Sequence, residues 1–341
     1  MKRYIYALMK DERDGPIAGI LKAVLSFASF FYSRVVDIMR FIKTRASKRL
    51  PCKVISVGNM TLGGTGKTPL TRMLAASLKK MGRSPAVLIR GYGEDEWKML
   101  KDTLSGIPVI VGRDRIASGS EACAKLKADT VILDDGFQHW PLKRDLDIVL
   151  IDSTDPFGNG KVFPRGLLRE GLKGLSRADI VLLTKTDMGK DNIERIMDEL
   201  KSRIPHTPVA ESIHHPTGIY ELNRSGDLDL SSLQGERVFV FSSIVNSAYF
   251  EYTLKALGAR IISALHYPDH YNYRAEDLER VFDEAKKLKI DTIVTTEKDA
   301  PKLRELKMPE EAARILILRV ELKVTKAEEI LNDRLHTLYS R

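Results

Sequence analysis

The feature that most constrains this chain is Gly63-Gly64-Thr65-Gly66-Lys67-Thr68, which follows the apolar run 54–57 and precedes a stretch with helical periodicity. Glycines let a backbone wrap around an anion so that successive amide N–H groups point at its oxygens. The helix that follows adds the positive end of its dipole. In such a strand–loop–helix unit Lys67 is placed to reach the terminal phosphates of a nucleotide, and the Thr68 hydroxyl to ligate Mg²⁺. The general pattern also asks for a glycine five positions before Gly66, where this chain has Thr61. The competing reading is a glycine-rich turn with an exposed lysine.

The rest of the chain fits the fold that this loop demands. Runs at 54–57, 86–89, 109–111, 131–133, 148–151 and 180–183 are continuously apolar, as parallel strands covered on both faces must be. Helical stretches fall at 69–81, 116–127 and 190–202. The repetition predicts a doubly wound, mostly parallel α/β sheet with ligands at the carboxyl ends of its strands. Prolines 205, 208 and 216 and glycines 218, 226 and 235 interrupt the rhythm. A second set follows, with strands at 238–241, 260–264, 292–295 and 315–320 and helices near 248–257 and 275–288. At 341 residues the chain is too long for one ordinary core. The expected division is an N-terminal segment 1–52, a nucleotide domain 53–204, a linker or hairpin 205–236, and a smaller α/β domain 237–341 that closes a cleft.

A phosphate loop of this kind needs an acid at the end of a neighbouring strand to hold the metal. The run 131–133 ends in Asp134-Asp135, which makes both residues candidate magnesium ligands. One aspartate after a strand is commonly a turn residue or a cap; two in succession beside a phosphate loop point to metal or water positioning.

Charge is unevenly placed. Residues 1–53 contain twelve Lys/Arg against four Asp/Glu, a surplus of eight within a total of +9. The surplus lies beside an apolar segment, not across a folded face with interleaved aromatics, so an anionic membrane surface is the expected partner and nucleic acid is not. From Pro16 to about Ile42, polar residues recur at Lys22, Ser26, Ser29, Ser33, Asp37 and Arg40, leaving a thin polar stripe and a wide apolar face. Only eleven residues separate Lys22 from Arg34, short of the roughly 20 that a spanning helix needs. An interfacial helix is the favoured reading, with a core helix and a true span as the alternatives. Cys52 and Cys123 have no metal or redox spacing, which argues for a reducing compartment.

Several strings together resemble the tetraacyldisaccharide 4′-kinases of lipid A assembly. They are VGNMTLGGTGKTP at 57–69, RGYG at 90–93, DDGFQH at 134–139, FGNG at 157–160, LLRE at 167–170, PDH at 268–270 and TEKDA at 296–300. Thr61 is also seen in that family's loop. The resemblance implies transfer of the γ-phosphate of ATP, with Mg²⁺, to the 4′-hydroxyl of a tetraacylated glucosamine disaccharide 1-phosphate. It implies a peripheral protein, expected to be a monomer, at the cytoplasmic face of the inner membrane. Carried over residue by residue, Thr61, Leu62, Gly63, Gly64, Thr65, Gly66, Lys67 and Thr68 would bind the nucleotide. Thr68, Asp134, Asp135 and Glu96 would surround the metal, and Gln138, Arg169 and Glu170 would contact the acceptor. Glu94-Asp95-Glu96 is similar to the family's acidic element, usually Gly-Asp-Glu, which makes Asp95 the catalytic base. His270 resembles the histidine that pairs with it, and placing the two in different domains predicts a dyad that forms on cleft closure. Lys67 completes the catalytic set. The chain departs from the family at Pro164-Arg165-Gly166-Leu167 and at Ser242-Ser243-Ile244-Val245-Asn246.

Two other functions compete. Thr184-Lys185-Thr186-Asp187, at the end of an apolar run, mimics the element that reads guanine in GTPases, but Asp134-Asp135-Gly136 is not the Asp-x-x-Gly such a switch protein wants. A membrane adaptor with a degenerate loop would not need Lys67, Thr68 and Asp134 intact.

Overall fold

The computed structural model describes residues 2–91, 94–224, 226–307 and 313–340, and the side chains of all of these except 2, 3 and 94–96. In chain order the elements are α1 (Lys2–Met9), α2 (Pro16–Arg45), β1 (Lys53–Asn59), α3 (Lys67–Lys80), β2 (Pro85–Ile89), α4 (Glu94–Thr103), β3 (Val109–Val111), α5 (Arg115–Lys125), β4 (Thr130–Asp134), β5 (Leu146–Asp152), β6 (Ile180–Thr184) and α6 (Ile193–Arg203). There follow β7 (Val209–Glu221), β8 (Asp227–Leu228), β9 (Arg237–Ser242), α7 (Ser247–Ala256), β10 (Arg260–His266), α8 (Ala275–Lys287), β11 (Thr292–Thr296), α9 (Ala300–Arg304), β12 (Arg314–Lys326) and α10 (Glu328–Tyr339).

These elements form two compact units. The first comprises residues 1–90, 106–213 and 324–341, the second residues 91–105 and 214–323. This differs from the division expected above. The stretch 91–105, with α4, belongs to the second unit, and the C-terminal stretch with α10 returns to the first. Residues 205–236 contain β7 and β8, an antiparallel pair (Ile219 opposite Leu228) that supplies the expected hairpin, with β7 a full strand of the sheet as well.

In the first unit the strand order is β7-β6-β5-β1-β4-β2-β3, and the pairs are parallel. β2, β4, β5 and β6 are buried at every position, which explains their unbroken apolar sequences. Two clusters lie side by side on one face of the sheet. Val54, Leu88, Val131 and Leu133 pack with Ala122 of α5, and Phe137, Val149, Val181 and Leu183 pack with Ile196 and Leu200 of α6. On the opposite face Val87, Ile132, Ile148 and Leu182 are buried as well. The chain passes from β1 to β2 and β3 on one side and crosses to β5 on the other, so the order reverses at β1. That switch point is where α/β sheets hold ligands, at the carboxyl ends of the strands.

The second unit repeats the principle on a smaller scale, with parallel strands in the order β10-β9-β11-β12. Phe239, Phe241, Ile293 and Ile317 face α8, and Val238, Val240, Val294 and Leu316 face α7. α4 joins this unit through Lys98 to Glu305 (2.8 Å) and Arg304 to Asp102 (3.7 Å).

α2 inverts the arrangement of an ordinary surface helix. Its polar stripe faces the protein: the Ser29 hydroxyl donates to the Val162 carbonyl (2.5 Å) and accepts from the Arg165 N–H (2.9 Å), and the Tyr32 hydroxyl donates to the Arg169 carbonyl (3.2 Å). Its apolar side chains face outward, with Ile17, Phe27 and Phe30 at 71%, 68% and 55% exposure. The core-helix alternative is therefore excluded for this segment. A soluble helix hides its apolar face, and this one hides its polar stripe.

Candidate active site

The phosphate loop spans the carboxyl end of β1 and the first turn of α3. Gly63 (φ 130°) and Gly66 (φ 89°) occupy the left-handed region, which only glycine enters without strain. The Lys67 ammonium sits 3.2 Å from Asn59 Oδ1 and 3.5 Å from Asp135 Oδ1. The Thr68 hydroxyl donates to Asp134 Oδ2 at 3.1 Å. The loop residue and the strand-end acid that the sequence singled out are thus adjacent. Thr61, buried where a glycine was expected, pairs with Leu168; its carbonyl accepts from Asn59 Nδ2 (2.8 Å), and the Leu62 N–H donates to the Leu167 carbonyl (2.7 Å).

Asp134 and Asp135 are held in place by a residue to which sequence reasoning gave no role. Arg115, the first residue of α5, is buried and donates to the Asp134 carbonyl (2.5 Å) and the Asp135 carbonyl (2.9 Å). Its helix is fixed in turn by the Asp114 carboxylate, which caps the Ile116 and Ala117 N–H groups at 3.0 Å. Asp135 has φ 56°, an uncommon backbone for a residue with a Cβ. Its carboxylate accepts from Arg169 Nη1 at 2.8 and 2.9 Å. Burial alone would raise its pKa, but Lys67 and Arg169 more than offset this and hold it far below the usual carboxylate range. Asp135 is therefore ionised at any working pH. Close packing below it leaves room only for glycine at position 58, where an added Cβ would lie 2.5 Å from Phe137 Cβ and 2.7 Å from the Phe137 nitrogen. His139, in the same segment, is driven down to about 4 by burial and by Arg115, so it is neutral near pH 7.

The three proposed acceptor contacts form one polar chain. Gln138 Nε2 donates to the Asn59 carbonyl (3.0 Å) and to Glu170 Oε1 (3.1 Å). Glu170 is buried and accepts from Arg177 at 2.7 and 3.0 Å, with Arg40 of α2 at 3.5 Å. Arg169 runs alongside, its N–H donating to the Met60 carbonyl at 2.8 Å. The outward-facing helix, the Leu167–Glu170 stretch and the phosphate loop are thus directly connected.

In the second unit, His270 lies on a tight turn (φ 57°), with Nε2 3.3 Å from Asp269 Oδ2 and 3.5 Å from Lys298 Nζ. Below it, fully buried Asp299 accepts from the Ser243 hydroxyl (2.5 Å), the Thr296 hydroxyl (2.7 Å) and the Tyr273 hydroxyl (3.2 Å). This network braces the turn, and its only trace in the sequence was the TEKDA string. The side chains of Asp95 and Glu96 lie outside the described residues. Their helix, α4, belongs to the same unit as His270, so the expectation that the two members of the dyad stand in different domains is corrected.

The donors around Thr68 are hydroxyl and carboxylate oxygens, the set that suits a hard cation such as Mg²⁺.

Comparison with known proteins agrees with this geometry. The family model described as tetraacyldisaccharide-1-P 4′-kinase matches residues 21–97 and 94–338. A tetraacyldisaccharide 4′-kinase of Syntrophus aciditrophicus (strain SB) is 39% identical, over 84% of each chain. One from Anaeromyxobacter sp. (strain K) is 34% identical over 96% of this chain and 94% of its own. The crystal structure of LpxK from Aquifex aeolicus in complex with ATP superposes with a TM-score of 0.72 at 26% identity, covering 94% of this chain and 99% of that one. A family match that runs from α2 to the C-terminal helix, with relatives more than 30% identical over most of their length, has one meaning: the chain belongs to the tetraacyldisaccharide-1-P 4′-kinase family.

Proposed function

We propose that this chain is an ATP-dependent lipid kinase that phosphorylates the 4′-hydroxyl of a tetraacylated glucosamine disaccharide 1-phosphate. The observation that carries the reading is the Thr68–Asp134 contact beside Lys67, in a chain of this family. The acceptor oxygen forms a bond to the γ-phosphorus as the bond from that phosphorus to the β,γ-bridging oxygen breaks, and ADP leaves. Asp95 takes the hydroxyl proton and His270 orients Asp95. Lys67 neutralises charge on the transferring group, which is where most of the rate enhancement arises in phosphoryl transfer. Thr68 and Asp134, together with Asp135 and Glu96, would hold Mg²⁺, which would supply neutralisation of the phosphate charge. Gln138, Arg169 and Glu170 shape the acceptor side. ATP is the expected donor. Lipid phosphorylation measured with ATP and with GTP at equal concentration should be clearly faster with ATP; equal or faster transfer from GTP contradicts the reading.

The outward apolar face of α2 supports peripheral attachment to the inner membrane at its cytoplasmic face. Arg34 lies over the Phe30 ring (5.2 Å) and Arg45 over Phe41 (4.3 Å), so basic groups flank the apolar surface. Each basic residue near an anionic leaflet contributes about 1 kcal/mol, and salt screens that attraction. Inserting one Phe side chain contributes about 1.5–3 kcal/mol, which salt does not screen. The protein should therefore prefer anionic to neutral vesicles and be released only in part by 1 M salt. Replacing Phe27, Phe30 and Phe31 together by serine should lower vesicle co-sedimentation at least about ten-fold, with little cost in folding because all three rings are exposed. Undiminished binding by that variant would refute the interfacial helix; resistance of the wild type to everything but detergent would favour a spanning one.

A further inference from the structure

The Thr184–Asp187 string is the one motif with a chemical reading that the proposed reaction leaves unused. The side chains of Thr184 and Lys185 turn towards the phosphate loop. Lys185 is 2% exposed and has φ 57°. Its ammonium donates to the Gly64 carbonyl at 2.9 Å and pairs with the Asp152 carboxylate at the end of β5. Thr184 stands beside Asp152 in the sheet register. Its hydroxyl donates to the Thr65 carbonyl at 3.0 Å, shared with the Ile151 carbonyl at 3.4 Å. Asp152 is itself fixed, accepting from the Thr154 N–H (3.0 Å) and hydroxyl (2.6 Å).

A trans peptide is planar, with its C=O and N–H pointing in opposite directions. Anchoring the Gly64 carbonyl therefore aims the Thr65 N–H to the other side of the loop, and anchoring the Thr65 carbonyl does the same for the Gly66 N–H. Two successive peptide planes are set by two side chains at the end of β6. Glycine-rich backbone has many conformations available, and few of them present a row of N–H donors to one anion. A buried lysine is costly unless paired and hydrogen-bonded, and this one is placed so that one of its acceptors is the loop itself.

We propose that Thr184 and Lys185 are positioning residues of the phosphate loop, preorganising its Thr65 and Gly66 amides for the β- and γ-phosphates, and that they do not read the base. The proposal rests on the assignment of Gly63–Thr68 as the phosphate loop, and the controls separate the two. Calorimetric titration in Mg²⁺ would compare inorganic tripolyphosphate, ATP and GTP on the full-length protein. Thr184→Val keeps volume and removes the hydroxyl. It should weaken tripolyphosphate and ATP in parallel, by about five- to ten-fold, the worth of one hydrogen bond, and leave the ATP-to-GTP affinity ratio unchanged. Thr184→Ser should restore binding. Lys185→Met combined with Asp152→Asn removes both buried charges together and should weaken the same ligands by at least about ten-fold. A changed ATP-to-GTP ratio with unaltered tripolyphosphate binding would assign these residues to the base and overturn the proposal, as would a Thr184→Val protein that binds all three ligands normally. Lys67→Ala serves as the control. If it abolishes tripolyphosphate binding while Thr184→Val has no effect, only the positioning role fails. If Lys67→Ala is also without effect, the phosphate-loop assignment itself fails.

Discussion

Lys67→Ala should lose at least about a hundred-fold in lipid phosphorylation, the loss typical when a charge-stabilising donor to the transferring group is removed. The protein should remain folded. The ammonium contacts only Asn59 and Asp135 among the described residues, and Asp135 keeps Arg169 as a bidentate partner. Circular dichroism and a thermal midpoint close to wild type, together with collapsed turnover, are the expected pair of results. Near-wild-type turnover would mean that the loop does not hold the phosphates being transferred.

Asp95→Ala should lower kcat by at least about a hundred-fold with a small effect on ATP affinity, because a general base acts only as the proton leaves. His270→Ala should lower kcat by a similar factor, and the double variant should be little worse than either alone, since a base and its orienting partner work as a unit. That His270 and the helix carrying Asp95 share one unit supports such a partnership, as does the bracing of the His270 turn by Tyr273 and Asp299. Losses that add would show two independent roles. An inert Asp95 would move the base assignment to Asp134 or Asp135.

The strands were the most legible part of the sequence. β2, β4, β5, β6 and β9 hold apolar runs because both their faces are buried, and that pattern needs no tertiary information. The hairpin was legible in the 205–236 stretch, but Pro216 and Gly218 and burial that alternates along β7 hid its pairing with β6 in the main sheet. The division into units was illegible for a different reason. The first unit contains three separate stretches of chain and the second two, and no local period marks where a chain leaves one core and returns to it. For α2 the helical period gave the polar stripe but not its direction; only Ser29, Tyr32 and Arg40, bonded to the 162–170 segment, show that the stripe faces inward.

The site divides in the same way. Lys67, Thr68, Asp134 and Asp135 were findable because a glycine-rich loop and a strand-end acid pair are local patterns. Arg115, Thr184 and Lys185 were not findable as neighbours of those residues, because each reaches its partner across 19 to 121 residues of sequence. Thr184 and Lys185 also sat in a string whose family likeness pointed to base recognition, and geometry redirected them.

The most direct test of the whole account is the position of the new phosphate. Purified protein would be incubated with γ-labelled ATP, Mg²⁺ and a tetraacylated disaccharide 1-phosphate in mixed micelles, and the lipid product analysed by mass spectrometry and phosphorus NMR. The account predicts a product heavier by one phosphate, carrying the label as a monoester at the 4′-oxygen, with formation lost in Lys67→Ala. Hydrolysis of ATP without a labelled lipid, or label at any other position, would contradict it.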